Sequence, residues 1–406
     1  MNRPEPASLT PQQAQAAIDT RLTRLPAEAR PLAECIGQTL REDVYAERDN
    51  PPFDRVCMDG IAIDSRAFAS GVRRFHLQAT QAAGAPALTL AGREHAIEVM
   101  TGAIMPRGTD SVIPLEEYDI ADGLIDLKAN ATAATHRNVQ ERGEDSRPGV
   151  PMLTSGTRLG AAEIAVAASA GLARVSVSRQ PDVVVISTGD ELVEPGRPIA
   201  EHQVRRSNAY AVVAALREHG LSKVADDHLR DDERELSEHL AAHLAARDVL
   251  VLSGGISKGK FDLVPKVLKS LGVTEVFHEI AQRPGRPMWF GVGARGQAVF
   301  GLPGNPVSTL VCLIRYVVPA LTSAMGAVRT PAEPIALASA VKFGRSMSSF
   351  MPVAVRHDKR GQRRAVPRLP NGPGDFLALA GTDGFVELPP RAEEFPAGYV
   401  ATLYRW

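Results

Sequence analysis

Residues 249–262 read VLVLSGGISKGKFD, and the passage from an apolar run into glycines and lysines decides how the middle of the chain is read. Four consecutive aliphatic side chains leave no solvent face, which suits a strand covered on both sides within a parallel sheet. Glycines straight after such a strand let backbone N–H groups approach a ligand closely, and the lysines among them mark that ligand as anionic. Phosphate is the first expectation. The order is not that of a P-loop, because Lys258 and Lys260 straddle Gly259 and Phe261 stands where a Mg2+-binding hydroxyl would follow.

Two more runs share this texture, DVVVIST (182–188) and QAVFGL (297–302), and the first run is best framed as RDVLVLSG (247–254). Between them NAYAVVAALREHG, DERELSEHLAAHLAAR and DLVPKVLKSLG have helical spacing, so strand and helix alternate as in a parallel α/β domain. The expected fold is α/β multidomain, with a central three-layer α/β/α domain and a mostly parallel sheet at 181–328. An N-terminal α+β linker region occupies 1–70 and 143–180, opening with a helix that Thr10 and Pro11 start and that ends near Pro26. Residues 72–142 show short alternating runs between turn residues, which predicts a small all-β insert bounded at 71–142. After the PAEP linker at 331–334, residues 331–406 read as a small β domain of barrel-like kind.

Composition narrows the function classes. A chain of 406 residues exceeds one core, and about one domain per ~150 residues gives about three or more. Lys plus Arg total 46 against 47 Asp plus Glu, so a formal charge of -1 argues against broad nucleic-acid or membrane-surface binding. Cys35, Cys57 and Cys312 lie far apart without a C-x-x-C pair, which indicates neither a disulfide framework nor a zinc site and fits a reducing, cytoplasmic setting. The N-terminal MNRPEPASLT has no apolar core of a signal peptide, and the apolar stretch 316–328 is proline-broken and too short to cross a bilayer.

Ligands of open parallel sheets bind beyond the carboxyl ends of the strands, so the loops after the apolar runs carry the first candidates. These are STGDELVEPG with Asp190 and Glu191, SGGISKGKFD with Ser253, Gly254, Gly255, Ser257, Lys260 and Asp262, and PGNPVS with Pro303, Gly304, Asn305, Pro306 and Ser308. Glycine turns and helix starts bind phosphate through amides, while neighbouring carboxylates could hold Mg2+ against the phosphate charge. Ordinary turn chemistry accounts for any one of these loops; three on one sheet edge favour a phosphorylated substrate plus metal. Arg283 and Arg286 flank a Pro-Gly turn in AQRPGRPMWFG, two planar forks suited to tetrahedral oxyanions. Asp231 and Asp232 open a helix in LRDDERE, where Asp232 reads as part of an acidic first turn and Asp231 stays open between that and a site role. Asp59 and Asp145 sit among glycines in CMDGIAID and RGEDSRPG, with turn-forming roles as the alternative.

PPFDRVCMDGIAID, TGAIMPRGTDSVIPLEEY, RGEDSRPG, ISTGDELVEPG, SGGISKGKFD, RPGRP and GLPGNPVS, in this order, resemble the molybdopterin molybdenumtransferase family, which includes bacterial MoeA and the gephyrin E domain. The resemblance covers almost the whole chain. It implies a molybdopterin-binding type of α/β domain and an elongated homodimer of four domains in which the sheet domain of one subunit faces the N-terminal loops of the other. It also implies a transferase that inserts molybdate into adenylylated molybdopterin with Mg2+ and release of AMP, the glycine loop cradling the nucleotide and phosphate part. Asp59, Asp145, Asp231 and Asp262 then match catalytic acids, Glu191 and Asp262 metal-binding positions, and Thr101 a substrate-binding T-G site. Arg283 and Arg286 take the places of two lysines and, with Ser308 and Arg345, would hold molybdate or the pterin phosphate. Molybdate would supply the attacking oxygen, so no covalent nucleophile is required. Partners implied are molybdopterin adenylyltransferase and molybdoenzyme apoproteins or their chaperones.

The sequence departs from the family at Ile61 for tyrosine, at Glu279 where some relatives carry lysine, and at Pro373 in place of an oxyanion-binding serine. Two other readings stay open: molybdopterin adenylyl transfer, which the long N-terminal segment and the β tail oppose, and a catalytically weak cofactor carrier or scaffold.

Overall fold

The computed structural model describes residues 8–256, 263–343, 347–372, 374–390 and 394–406. Ser257, Lys260, Asp262, Arg345 and Pro373 of the sequence reading lie outside these described residues. The chain forms two compact units, one of Glu42–Thr154 with Ala161–Val175, the other of the residues up to Arg41, Ser155–Gly160 and Ser176–Trp406.

The first of these units holds a six-stranded sheet in the order Ser111–Pro114, Gly60–Ile63, His95–Val99, Arg74–Gln81, Leu124–Leu127, Tyr118–Ala121. Its second strand lies ahead of residue 71, where the β insert was expected to begin. Pleating explains that recruitment: Ile61 and Ile63 enter one apolar cluster with Phe75 and Ile113, while Ala62 enters the opposite cluster with Ile97 and Val112.

The other unit begins with the helix Pro11–Asp19, closed by a reciprocal capping box between Thr10 and Gln13. It stops well before Pro26, because Leu25 donates its N–H to the carbonyl of Ala324 and the segment is spent on that helix end instead. The α/β domain follows. Its strands are β1 (Val183–Thr188), β2 (Val224–Leu229), β3 (Val249–Ser253), β4 (Thr274–His278), β5 (Trp289–Val292) and β6 (Ala298–Leu302). Its helices are α1 (Ser207–Glu218), α2 (Glu233–Ala246), α3 (Val264–Ser270) and α4 (Pro306–Ala324).

The sheet order is β2-β1-β3-β6-β5-β4; the first four strands are parallel, β5 is antiparallel to β6, and β4 is antiparallel to β5. Alternate residues serve opposite faces. Val183, Val185, Val249, Val251 and Phe300 pack with Val212 and Leu216 of α1 and Val311 of α4, whereas Ile186, Leu250, Leu252 and Val299 pack with Leu236 and Leu240 of α2 and Leu268 of α3. Helix α4 is long and apolar enough to cross a membrane, beyond what residues 316–328 alone suggested, but 78% of its most apolar window is buried in this core. Pro319 cannot donate to the carbonyl of Arg315, and the helix takes up that break in a π segment, Leu313–Val317.

The C-terminal strands β7 (Glu333–Leu337), β8 (Ser348–His357), β9 (Arg363–Pro367), β10 (Gly384–Leu388) and β11 (Val400–Arg405) close into a five-stranded barrel in the order β8-β9-β7-β11-β10-β8. The PAEP stretch is therefore only half a linker. Glu333 and Pro334 pair with Leu403 and Thr402, and the Glu333 carboxylate binds both Arg363 and Arg405.

Candidate functional site

Because β2, β1, β3 and β6 run parallel, their carboxyl ends lie on one sheet edge, and β4, parallel to them through β5, ends there too. That edge therefore gathers Asp231 after β2, Asp190 and Glu191 after β1, Ser253–Ile256 after β3, the Arg283–Arg286 turn after β4 and Pro303–Asn305 after β6. Asn208, in the first turn of α1, joins two of these loops, donating through Nδ2 to Ser253 Oγ at 3.0 Å and to the carbonyl of Gly304 at 2.7 Å. His278 joins a third, its Nε2 lying 2.9 Å from the carbonyl of Ile256.

The glycines are required by close approach. Gly254 and Gly255 have φ of +100° and +63°, and a Cβ on them would lie 2.7 Å from the Thr188 carbonyl oxygen and 2.7 Å from Thr188 Oγ1 respectively. Thr188 Oγ1 is buried and has no hydrogen-bond partner among the described residues. A buried hydroxyl left without a partner costs free energy, so Thr188 Oγ1 is free to accept or donate a further hydrogen bond beneath the glycine turn. Gly304 differs: among the described residues a Cβ there would meet only Gly254 Cα, at 3.8 Å. Asn305 caps α4 without using its side chain, and Pro306 occupies the first turn. Ser308 is buried on that helix, and Thr309 Oγ1 donates to the carbonyl of Pro303 at 2.6 Å, fixing the turn from below.

Glu191 is exposed but placed by backbone, since its carbonyl accepts from Val204 N–H at 2.9 Å in the short ladder Leu192–Val193 with Val204–Arg205. Buried Arg206 anchors that ladder by donating to Ser187 Oγ at 3.3 Å and pairing with Glu194 and Asp226. Burial works against its charge, yet the two carboxylates outweigh it and hold the guanidinium above its ordinary value. Glu194 is correspondingly held below the usual range by Arg206 and the Tyr210 hydroxyl.

The arginine turn is shaped by Gln282, whose Nε2 donates to the carbonyl of Pro284 at 3.0 Å, and by Gly285, where a Cβ would fall 2.5 Å from Cys312 Sγ. Arg283 is exposed and makes no ion pair with a described carboxylate. Arg286 pairs with Glu279 at 3.2 Å. Asp231 is exposed, and Asp232, expected in the acidic first turn, stands one position ahead of it and caps α2 by accepting from Arg234 and Glu235 N–H groups.

The remaining sequence candidates lie in the other unit. Asp59 accepts from both N and Oγ1 of Thr101 at 2.7 Å, and these bonds hold its carboxyl below the usual range. Asp145 is held separately, accepting from Gln140 Nε2 at 2.9 Å. Sequence reasoning missed Asn208, Thr188 and Arg206. An Asn one residue into a helix that starts at the ligand edge was a usable signal for the first; the other two declare themselves only through burial.

The fold defines a class: a multidomain protein of mixed sheets that carries a five-stranded barrel and an open α/β sheet with a glycine-lined ligand edge. Residues 9–171 match the MoeA N-terminal region (domain I and II), 184–323 the probable molybdopterin binding domain, and 334–406 the MoeA C-terminal region (domain IV). The chain is 40% identical over 373 residues to a molybdopterin molybdenumtransferase of Synechocystis, covering 91% of this chain and 93% of the relative. It is 30% identical over 383 residues to one from Staphylococcus epidermidis, covering 92% and 89%. The molybdopterin biosynthesis MoeA protein of Pyrococcus horikoshii superposes with a TM-score of 0.78 at 30% identity, covering 98% of this chain and 99% of that one. The chain belongs to the molybdopterin molybdenumtransferase family.

Proposed function

We propose that the protein inserts molybdate into adenylylated molybdopterin, releasing AMP and forming molybdenum cofactor. The observation that carries this is the shared edge, where Asn208 ties Ser253 to Gly304 above the unsatisfied Thr188 hydroxyl. In this reading the three-layer α/β domain is of the molybdopterin-binding type. Ser253, Gly254, Gly255, Pro303, Gly304, Asn305 and Pro306 line the phosphate and nucleotide part of the ligand, together with Ser257 and Lys260. Arg283, Arg286, Ser308 and Arg345 face the oxyanions. Two dianions must be brought together, and fixed cations and amide dipoles offset that repulsion without reorganising during the reaction.

Mg2+ binds hard oxygen donors and commonly takes one or two carboxylates plus substrate phosphate oxygens. Exposed Asp190 and Glu191 fit that donor set; Glu191, with Asp262, would hold the ion, which supplies charge neutralisation across the phosphoanhydride. Asp59, Asp145, Asp231 and Asp262 act as catalytic acids and Thr101 as a substrate contact in the same proposal. The working form is a cytoplasmic homodimer that receives its substrate from molybdopterin adenylyltransferase and hands cofactor to molybdoenzyme apoproteins or their chaperones.

The Glu279–Arg286 pair favours a second reading, a carrier that binds the cofactor with little turnover, because it neutralises one of the two arginines. Purified protein given adenylylated molybdopterin, Mg2+ and molybdate, and in a parallel reaction molybdopterin with ATP and Mg2+, separates these. Molybdate-dependent AMP release supports the transferase, tight binding without AMP release supports the carrier, and consumption of ATP to form the adenylylated substrate means adenylyl transfer instead.

A further inference from the structure

A separate cluster stands between strand β2 and helix α2. Parallel pairing sets Asp226 opposite Val185 and Asp227 opposite Ile186, so the two neighbouring acids point to opposite faces of the sheet. Asp226 meets Arg206, next to α1, while Asp227 faces α2, on the side that Ile186 shares with Leu236 and Leu240. On α2, His239 and His243 are four residues apart and so stand on one face of the helix. Asp227 Oδ2 lies 2.8 Å from His243 Nε2 and 3.6 Å from His239 Nδ1, and the three ligand atoms all lie within 4.8 Å of one another.

We propose that Asp227, His239 and His243 form a binding site for a divalent transition ion of the zinc class, with a fourth position open to water. Zinc takes imidazole nitrogen at about 2.0–2.1 Å and carboxylate oxygen at about 2.0–2.2 Å, which places tetrahedral ligand atoms about 3.4 Å apart. The two separations from Oδ2 lie on either side of that spacing, so fitting an ion changes them by about 0.2–0.6 Å. At 3.6 Å the His239 ring lies beyond hydrogen-bond range but within ion-pair range of the same oxygen, so both imidazoles converge on Oδ2. The Asp227 carboxylate is further oriented by His228 N–H, which donates to Oδ1 at 2.8 Å, leaving Oδ2 to face both rings. Side-chain exposures of 50% at His239 and 31% at Asp227 leave a path for the ion from solvent. Two nitrogens and one oxygen select zinc, nickel or copper over Mg2+, which takes oxygen donors. The site is independent of the proposed transferase reaction and joins an edge strand to the helix packed on it.

The test is calorimetric titration of the full chain with Zn2+ after treatment with chelator, in the presence of millimolar Mg2+. Wild type is expected to bind one ion, and Co2+ in its place should give the intense visible absorption of tetrahedral coordination. His239→Gln, at a half-exposed position that spares the fold, should weaken Zn2+ at least tenfold, and Asp227→Asn likewise. His357→Gln, an exposed histidine elsewhere, should leave binding unchanged. Equal affinity in wild type and His239→Gln would overturn the proposal, as would displacement of Zn2+ by millimolar Mg2+ or octahedral Co2+ spectra. Because the readout is metal affinity, its failure says nothing of the transferase reading.

Discussion

Replacing Gly254 by alanine tests whether the ligand edge depends on the close approach described for β1 and β3. The residue holds φ +100°, and a Cβ would sit 2.7 Å from the carbonyl oxygen of Thr188 and 3.0 Å from its Oγ1. The left-handed conformation alone costs about 1–2 kcal/mol for an L side chain. Relieving a backbone overlap in a packed edge adds about 1–3 kcal/mol, as overpacking does elsewhere. Their sum is roughly 3 kcal/mol, and with m near 3 kcal/mol/M for a large unit the urea midpoint should fall by about 1 M. Gly304→Ala is the internal control, since among the described residues its Cβ would meet only Gly254 Cα at 3.8 Å. That variant should unfold within about 0.5 kcal/mol of wild type, as surface changes usually do, yet lose affinity for adenylylated molybdopterin because the methyl group projects into the ligand edge. A Gly254→Ala protein as stable as wild type refutes the close-approach argument; Gly304→Ala with unchanged affinity refutes the placement of the ligand.

Asn208→Ala removes two neutral hydrogen bonds, one partly buried and one exposed, so chemical unfolding should show a loss of about 1–2 kcal/mol together with weaker ligand binding. Glu279→Gln releases Arg286 from its partner at 3.2 Å; an exposed pair is worth about 0.2–1 kcal/mol, so ligand affinity should rise up to about fivefold, an effect that salt suppresses. Thr101→Val removes the hydroxyl bond to Asp59, so the Asp59 carboxyl should titrate closer to the ordinary range when followed by NMR. The sign is fixed: with its folded value depressed, Asp59 contributes stability above the unfolded value of about 3.9 and loses it as pH falls through the folded one. The variant should therefore be less sensitive to acid than wild type.

The strands read most clearly from sequence are those buried on both faces. Val183–Thr188, Val249–Ser253 and Ala298–Leu302 sit at the sheet centre, where the side chains are apolar up to the last hydroxyl residues because neither face meets water. Val224–Leu229 is hard to read because VADDHL carries two acids and a histidine, which an edge strand tolerates: Asp226 pairs with Arg206 ahead of α1, Asp227 with His243 on α2, and His228 Nε2 meets the Gly189 carbonyl. Thr274–His278 and Trp289–Val292 were hidden for a related reason, since they extend the sheet in antiparallel fashion and break the strand–helix alternation. Arg74–Gln81 and Leu124–Leu127 alternate in the sequence, whereas Gly60–Ile63 of the same sheet is buried on both faces and shows no alternation to read. Among site residues, glycines and acids announced themselves by type; Thr188, with no such signature, matters because burial leaves its hydroxyl unsatisfied.

The exchange of lysine for arginine at 283 and 286 bears on how the edge would work. A lysine is a flexible point charge, whereas an arginine fork fixes direction as well as sign and needs a planar partner to be satisfied. Arg286 has such a partner in Glu279, which holds φ +79°, a conformation uncommon outside glycine, and is only 15% exposed at its side chain. A partly buried acid kept in that conformation holds the fork to one place, while Arg283, exposed on the same turn, makes no ion pair with a described carboxylate and would be free to meet an anion. The pair thus lowers the net charge of the turn without removing its donors. On this reasoning the substitution trades long-range attraction for orientation: ligand capture should depend less on ionic strength than in a lysine-bearing relative, while the bound oxyanion is held in a narrower geometry.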